Sequence, residues 1–317
     1  MKRIQVAVGV IQKGDKVLVG QRLVKDDYFQ KWEFPGGKIE EGEQPILALK
    51  RELYEELTIE VHSAHPLIYI EHDYPDRKVN LHVFWVDDFE GDPTGAEGQA
   101  LQWIKPIDCQ KIDFLQANEP IVNAVSLPLR TLITDIDQYG LNHTLNVIET
   151  IVEKANDQPI RDGRFAIQVR EPNATKLEID KYHELLRKVS GSNLIFLNGD
   201  PDIAKQIGFD GVQLNSHRAK RYDTRNQLPD FWVGVSCHDS NQLMHAEQIA
   251  DFALLSPICS TRSHPETKGI GWKAFRELVN KAKIPCYALG GMRYEDIRLS
   301  CENGGQGIAA ISAIWDA

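Results

Sequence analysis

Glu43, Glu52, Glu55 and Glu56 recur at fixed intervals within WEFPGGKIEEGEQPILALKRELYEELTI, residues 32–59, with Gly37 and Arg51 among them. Glu52, Glu55 and Glu56 stand at i, i+3 and i+4, so a helix carries them on one face. Three anions there repel one another unless a cation joins them. Oxygen donors in that number suit Mg²⁺, with Mn²⁺ as the alternative. A solvated acidic helix neutralised by Lys50 and Arg51 is the plainer reading. It leaves the Gly36-Gly37 pair and the outlying Glu43 without a purpose.

The elements around these residues fit a metal-bearing cleft. Phe34-Pro35-Gly36-Gly37 is a turn that lets backbone approach a ligand closely. A helix is expected to start near Gln44-Pro45, since proline is tolerated in a first turn where its missing N–H would be unpaired anyway. Ile46, Leu47, Leu49 and Leu53 then pack that helix down while the glutamates face outward into the cleft.

The arrangement G-x5-E-x7-R-E-U-x-E-E-x-G-U, with U aliphatic, resembles the box of the Nudix hydrolases and is met from Gly37 to Ile59 with one departure. Thr58 stands where that family has glycine, at a helix exit where positive φ is wanted and a β-branched residue fits badly. WEFPGGKIE, YPDRKVNLHVFWV, EGDPTGAEGQALQW and FLQANEPIV together resemble the MutT-like members. Those enzymes hydrolyse 8-oxo-dGTP to 8-oxo-dGMP and pyrophosphate, sanitising the nucleotide pool in support of DNA repair and replication fidelity. The resemblance implies that Glu52, Glu55, Glu56 and Glu97, with the Gly36 carbonyl, hold the metal. It also implies that one carboxylate stays free as base, assigned to Glu52 with Glu55 or Glu97 as alternatives. Metal would offset phosphate charge and lower the pKa of the attacking water. Gly36, Gly37 and Lys38 would meet the phosphates, and Arg22, Phe34, Arg77 and Asn118 the base. An amide both donates and accepts, which suits a purine edge. Asn118 otherwise caps the helix opening at Glu119-Pro120, Phe34 is otherwise core, and the arginines are otherwise surface.

The rest of the composition sets bounds. A net charge of −10 over 317 residues argues against a nucleic-acid polymer as partner, though not against a small nucleotide whose charge a metal neutralises. Five cysteines without a C-x-x-C pair suggest reduced thiols in a cytoplasm. The opening MKRIQVAVGVIQKGDKVLVGQR reads as two strands around Lys13-Gly14-Asp15, not as a signal peptide, and no apolar run is long enough to span a bilayer. Oligomeric state has no signature here.

Length allows two domains. After the acidic helix, residues 67–72 and 78–89 alternate as a hairpin across Tyr74-Pro75-Asp76-Arg77. Residues 101–104 make a short strand and 119–126 a closing helix. This is the α/β/α sandwich expected of a Nudix domain, ending near Pro128, so the domains are set at 1–128 and 129–317.

From Arg130 the rhythm becomes short apolar strands alternating with helix-length segments. Strands are expected at 131–136, 164–169, 193–197, 211–214, 232–236, 252–256, 285–289 and 307–311. That count predicts a (β/α)8 TIM barrel, whose chemistry lies beyond the strand C-termini. Arg170, Asn198, Gln213, Ser236, His238, Ser256, Thr261, His264, Gly290, Gly291 and Ser312 stand there, a set suited to a phosphate ligand; tight βα turns are the plainer reason for the glycines.

QVRE, FLNGDPDIAKQIGFDGVQL, VGVSCHD, LLSPICSTRSHPETKGIGW and YALGGM…GGQGIAAIS resemble the thiamine phosphate synthase and TenI superfamily. Three departures weigh against synthase activity. Glu171-Pro172 follows Arg170 where Arg-x-Lys is usual, Gly199 replaces an aspartate after Asn198, and Arg218 stands where a second aspartate falls. His264 also replaces the usual lysine of that segment. His238 matches the histidine of TenI-like thiazole tautomerases, and a neutral imidazole there moves protons; a structural histidine is the alternative. The expected function is therefore nucleotide-pool hydrolysis with a barrel that binds or isomerises a thiamine-pathway phosphate. The alternative is a thiamine-metabolism protein whose Nudix half hydrolyses a thiamine or pyrimidine pyrophosphate, the barrel being a phosphate-ligand module.

Overall fold

The computed structural model describes residues 3–24, 28–155, 163–260 and 268–315. The chain separates into two compact units, Met1–Ser126 and Leu127–Ala317.

The first unit is built on β1 (Ile4–Lys13), β2 (Lys16–Gln21), β3 (Trp32–Glu33), β4 (Gly36–Lys38), α1 (Pro45–Leu57), β5 (Glu60–Asp73), β6 (Lys78–Glu90), β7 (Leu101–Ile104) and α2 (Glu119–Ser126). The sheet runs β3-β2-β1-β6-β5, with β4 added to β1 and β7 to β2. One apolar cluster joins Ala7, Ile11 and Val86 to Leu49, Leu53 and Leu57 of α1. A separate cluster joins Val8, Val10 and Val83 to Ile121 and Val125 of α2. The alternation of strand side chains thus feeds two helices on opposite faces, the expected α/β/α sandwich. The three α1 leucines are fully buried and stabilise the helix by about 1.5–3 kcal/mol each.

α1 begins as the sequence implies, with Gln44 extended and Pro45 first. Its end is where the sequence departs from the box it resembles. Thr58 takes the left-handed conformation, φ 58° and ψ 32°, that glycine adopts without penalty. For an L-residue that costs roughly 1–2 kcal/mol. The residue is offset by its own side chain, whose hydroxyl donates to the Leu57 carbonyl at 2.6 Å and pairs with the Thr94 hydroxyl at 2.8 Å.

The sequence reading of a hairpin at 67–89 catches only half of β5, which starts at Glu60. Register shifts between Val61 and Ser63, Ser63 and Ala64, and Pro66 and Ile68 break the period-two pattern that would have announced it.

The second unit is a closed parallel barrel in the order β10-β11-β12-β13-β14-β15-β8-β9. Its strands are β8 (Arg130–Ile133), β9 (Ala166–Val169), β10 (Leu194–Asn198), β11 (Gly211–Leu214), β12 (Trp232–Cys237), β13 (Phe252–Leu255), β14 (Cys286–Leu289) and β15 (Gly307–Ala310). All eight fall where the alternation places them. β8 stops three residues short of the expected end because Asp135 caps the next helix, accepting from the Gln138 amide at 3.3 Å. Phe196, Trp232, Phe252 and Tyr287 fill the interior, with Phe252 packed 5.4 Å from Phe196 and 5.8 Å from Tyr287 between ring centroids. The barrel is a solid core whose open end is the strand C-termini. No helix among the described residues is long and apolar enough to cross a membrane.

Candidate functional site

In the first unit the acidic residues gather where α1 passes β4. Gly36–Lys38 pairs antiparallel with Val6–Val8 of β1, so the glycines form a strand and not merely a turn. A Cβ on Gly36 would lie 2.1 Å from the Ala7 carbonyl oxygen, and one on Gly37 would lie 2.1 Å from Glu52 Oε2. Both glycines therefore make room, the first for the neighbouring strand and the second for a carboxylate.

Arg51 organises the outer part of the cluster. It donates to Glu43 through Nε at 3.1 Å and Nη2 at 2.9 Å, to Glu52 Oε1 at 2.8 Å, to Glu55 Oε2 at 3.5 Å and to the Lys38 carbonyl at 3.0 Å. The Glu43 and Glu52 bonds raise its pKa, and Arg51 in turn holds Glu43 below the usual carboxylate range. The Lys38 side chain stays exposed.

Glu56 is different. Among the described residues the Gly36 amide, donating to Oε2 at 3.1 Å, favours its charge. Burial, with the negative charges of Glu97, Glu52 and Glu33 added, pushes its pKa up to about 7. Glu52 and Glu56 are the inward carboxylates and Glu55 lies outside them, more than half exposed and turned to Arg51. The single face expected for all three is thus divided. Among the described residues no group of three or more histidine, cysteine or acidic side chains is placed to hold a metal ion as it stands. The donors nevertheless fit a hard divalent cation: all are oxygens, and the buried one sits among three like charges with no cation of its own.

The loop carrying Glu97 is fastened to the end of α1. Thr94 and Ala96 donate their amides to the Leu57 and Glu56 carbonyls, each at 3.0 Å. The Gln99 side chain donates to the Glu56 carbonyl at 3.1 Å and accepts from the Glu97 amide at 3.0 Å.

The residues expected at the base form a second group. Asn118 is 6% exposed, in a short turn ahead of α2, and its Oδ1 accepts the Phe34 amide at 3.3 Å. It does not cap the helix, and its amide nitrogen has no hydrogen-bond partner among the described residues. The Phe34 ring is packed on Phe114, centroids 5.2 Å apart, so its contribution is packing and a backbone amide, not an open stacking face. Arg22 lies 3.7 Å from Glu33. Arg77 lies over the rings of Tyr74 and Tyr28, at 5.1 and 5.5 Å. Sequence reasoning missed Tyr28, Tyr74 and Glu33. The signal was faint: Tyr74 opens the very turn that Arg77 closes, and the Tyr74 amide donates to the Arg77 carbonyl at 2.8 Å.

In the second unit a cavity of about 1770 Å³ opens at the strand C-termini. Arg170, Asn198, Ser236, His238, Ser256, Gly290, Gly291 and Ser312 line it, as does Arg218. Gln213 does not: it is fully buried inside the barrel, donating to Ser236 Oγ at 3.1 Å, because its strand position points inward below the rim. Thr261 and His264 lie outside the described residues. Gly290 and Gly291, at φ 98° and 69°, pass so near Pro257 and Cys259 that a Cβ on either would come within 2.9 Å. His238 Nδ1 is 2.8 Å from the Ser256 carbonyl, which fixes the proton on that nitrogen in the neutral ring and leaves Nε2 as the acceptor.

Glu171, unassigned from sequence, is a buried carboxylate at the rim. It accepts from the Thr134 hydroxyl and, at 3.0 Å, from the Ile136 amide, and burial raises its pKa. Gln168 also reaches the cavity, its Oε1 buried without a partner.

Residues 6–124 match the NUDIX domain family and residues 132–314 the thiamine monophosphate synthase family. An 8-oxo-dGTP diphosphatase of Escherichia coli (strain K12) is 38% identical over 123 residues, covering 38% of this chain and 95% of the relative. A CTP pyrophosphohydrolase of the same organism is 36% identical over 124 residues, covering 39% of this chain and 92% of the relative. A thiamine-phosphate synthase of Pyrococcus horikoshii is 31% identical over 160 residues, covering 50% of this chain and 77% of the relative.

Proposed function

The chain belongs to the Nudix hydrolases through its first unit and to the thiamine monophosphate synthase family through its second, and from that premise we propose that the first unit hydrolyses 8-oxo-dGTP to 8-oxo-dGMP and pyrophosphate. The observation that carries the substrate choice is Asn118. Its oxygen is already committed to Phe34, so its free amide hydrogens are what it offers a base, and a purine carbonyl accepts them. Arg77, held on two tyrosine rings, would supply further directional donors. A pyrimidine such as CTP is smaller and makes less use of this span.

Glu56 and Glu97 would hold Mg²⁺ or Mn²⁺, with Glu55 and the Gly36 carbonyl as further oxygens, which leaves Glu52 as the base. When bound, the ion neutralises phosphate charge and acidifies water. Glu52, oriented by its 2.8 Å bond to Arg51, would accept the proton of the attacking water. Arg51 also holds Glu43 and the Lys38 carbonyl, so β4 and α1 keep their spacing while the Gly36 and Gly37 backbone faces the phosphates. Lys38, exposed, pairs with phosphate oxygens. Such a reaction serves nucleotide-pool sanitation, as in DNA repair.

For the barrel, the reading best supported is a site for a thiamine-pathway phosphate. His238 Nε2 would move a proton while Ser256 fixes the ring, and Arg170, Asn198, Ser236, Gly290 and Gly291 line the cavity such a ligand would enter.

The deciding experiment offers 8-oxo-dGTP, dGTP, CTP and thiamine diphosphate with Mg²⁺ and identifies products by mass. 8-oxo-dGTP should exceed the others in kcat/KM, and Asn118→Ala should reduce that preference by roughly tenfold or more. Equal turnover of dGTP, CTP or thiamine diphosphate overturns the assignment.

A further inference from the structure

The last carbonyls of an α-helix have no partner within the helix. In α1 the last two, those of Glu56 and Leu57, are taken up by one loop, residues 94–99. The Leu57 carbonyl accepts the Thr94 amide, and the Glu56 carbonyl accepts both the Ala96 amide and the Gln99 side chain. The Thr94 hydroxyl donates to the Thr58 hydroxyl, which in turn donates to the Leu57 carbonyl. Gln99 then turns its oxygen back onto the Glu97 amide. A Cβ on Gly95 would lie 2.3 Å from the Gln99 carbonyl oxygen, so the loop closes this tightly only with glycine there.

Glycine at position 58 would end the helix without strain but would bring no hydroxyl. The strained threonine is accounted for by what that hydroxyl holds. We propose that Thr58, Thr94 and Gln99 form a clamp that fixes Glu97 against Glu56, making them positioning residues for the metal site of the hydrolase. The inference rests on the reading above that Glu97 faces the metal. It concerns how the fourth carboxylate, carried on an exposed loop, is kept in register with carboxylates on a rigid helix.

The test uses the full-length protein and reads metal binding directly, by calorimetric titration of Mn²⁺ without nucleotide, beside the Mg²⁺ dependence of hydrolysis. Thr58→Gly and Thr94→Val should each weaken Mn²⁺ binding by roughly three- to tenfold, as loss of an outer partner does. Because they break one relay, the double variant should be no weaker than either alone. Thr94→Ser should restore binding, and KM for nucleotide should stay within about twofold of wild type, since no substrate contact is lost. Thr58→Gly guards against a folding artefact, as it relieves backbone strain and should not lower the melting temperature. Unchanged Mn²⁺ affinity in Thr58→Gly and Thr94→Val, with Glu97→Gln weakened, overturns the clamp alone. Unchanged affinity in Glu97→Gln overturns the metal reading of Glu97 and the clamp with it.

Discussion

Glu56 is a partly buried carboxylate set among like charges. With no cation bound, its carboxyl is pushed up to about 7 by burial and by Glu97, Glu52 and Glu33. The pKa is raised on folding, so protonation favours the folded form. That contribution is fully present below the unfolded value near 4.5 and is lost as pH rises through about 7. In metal-free protein, thermal stability should therefore fall across this window. Glu56→Gln should remove that part of the slope, and a profile identical to wild type would refute the assignment. The same variant should lose hydrolysis by roughly a hundredfold or more, as removal of a transition-state charge stabiliser does, while keeping its fold. The carboxylates were legible from sequence because their spacing is their chemistry. Which of them turns inward was not, because Arg51 and the absent Cβ of Gly37 decide that through space.

At the scale of elements, barrel strands were readable from apolar runs, yet their starting points depend on a device with no periodic signature. Asp210 stands just before β11, and its Oδ2 accepts the Ile195 amide at 2.7 Å while Arg187 pairs with it. Asp251 stands just before β13 in the same relation, accepting the Val233 amide at 2.7 Å with Arg225 at 3.4 Å. Each aspartate thus pins the neighbouring strand at its N-terminal end, away from the rim where ligands enter. Asp251→Ala leaves a strand amide without its partner and should cost about 1–3 kcal/mol in urea unfolding. His238 should keep its place at the far end, so a thermal shift by thiazole phosphate should survive in this variant. β5 shows the converse, a long strand whose first half was hidden because bulges and Pro66 erase alternation. Thr58 is a third case: sequence marked the departure, but only the pairing with Thr94, far along the chain, gives it a reason.

At the scale of the whole molecule, two cores stand behind two candidate sites. Among the described residues, Met1–Ser126 and Leu127–Ala317 each have apolar clusters of their own. The carboxylate cluster lies wholly in the first unit and the lined cavity wholly in the second. Among the described residues the side chains named at each site come from one unit, so their losses should separate. Glu55→Gln should lower 8-oxo-dGTP hydrolysis and leave the thermal shift by thiazole phosphate at its wild-type size. His238→Ala should weaken that shift and leave hydrolysis unchanged. Saturating the barrel with thiazole phosphate should likewise leave kcat/KM of the hydrolase within about twofold, because coupling requires that a ligand bind two states of the other site unequally. A larger change in either direction would mean that the two units share a conformational equilibrium, and the fusion would then be regulatory.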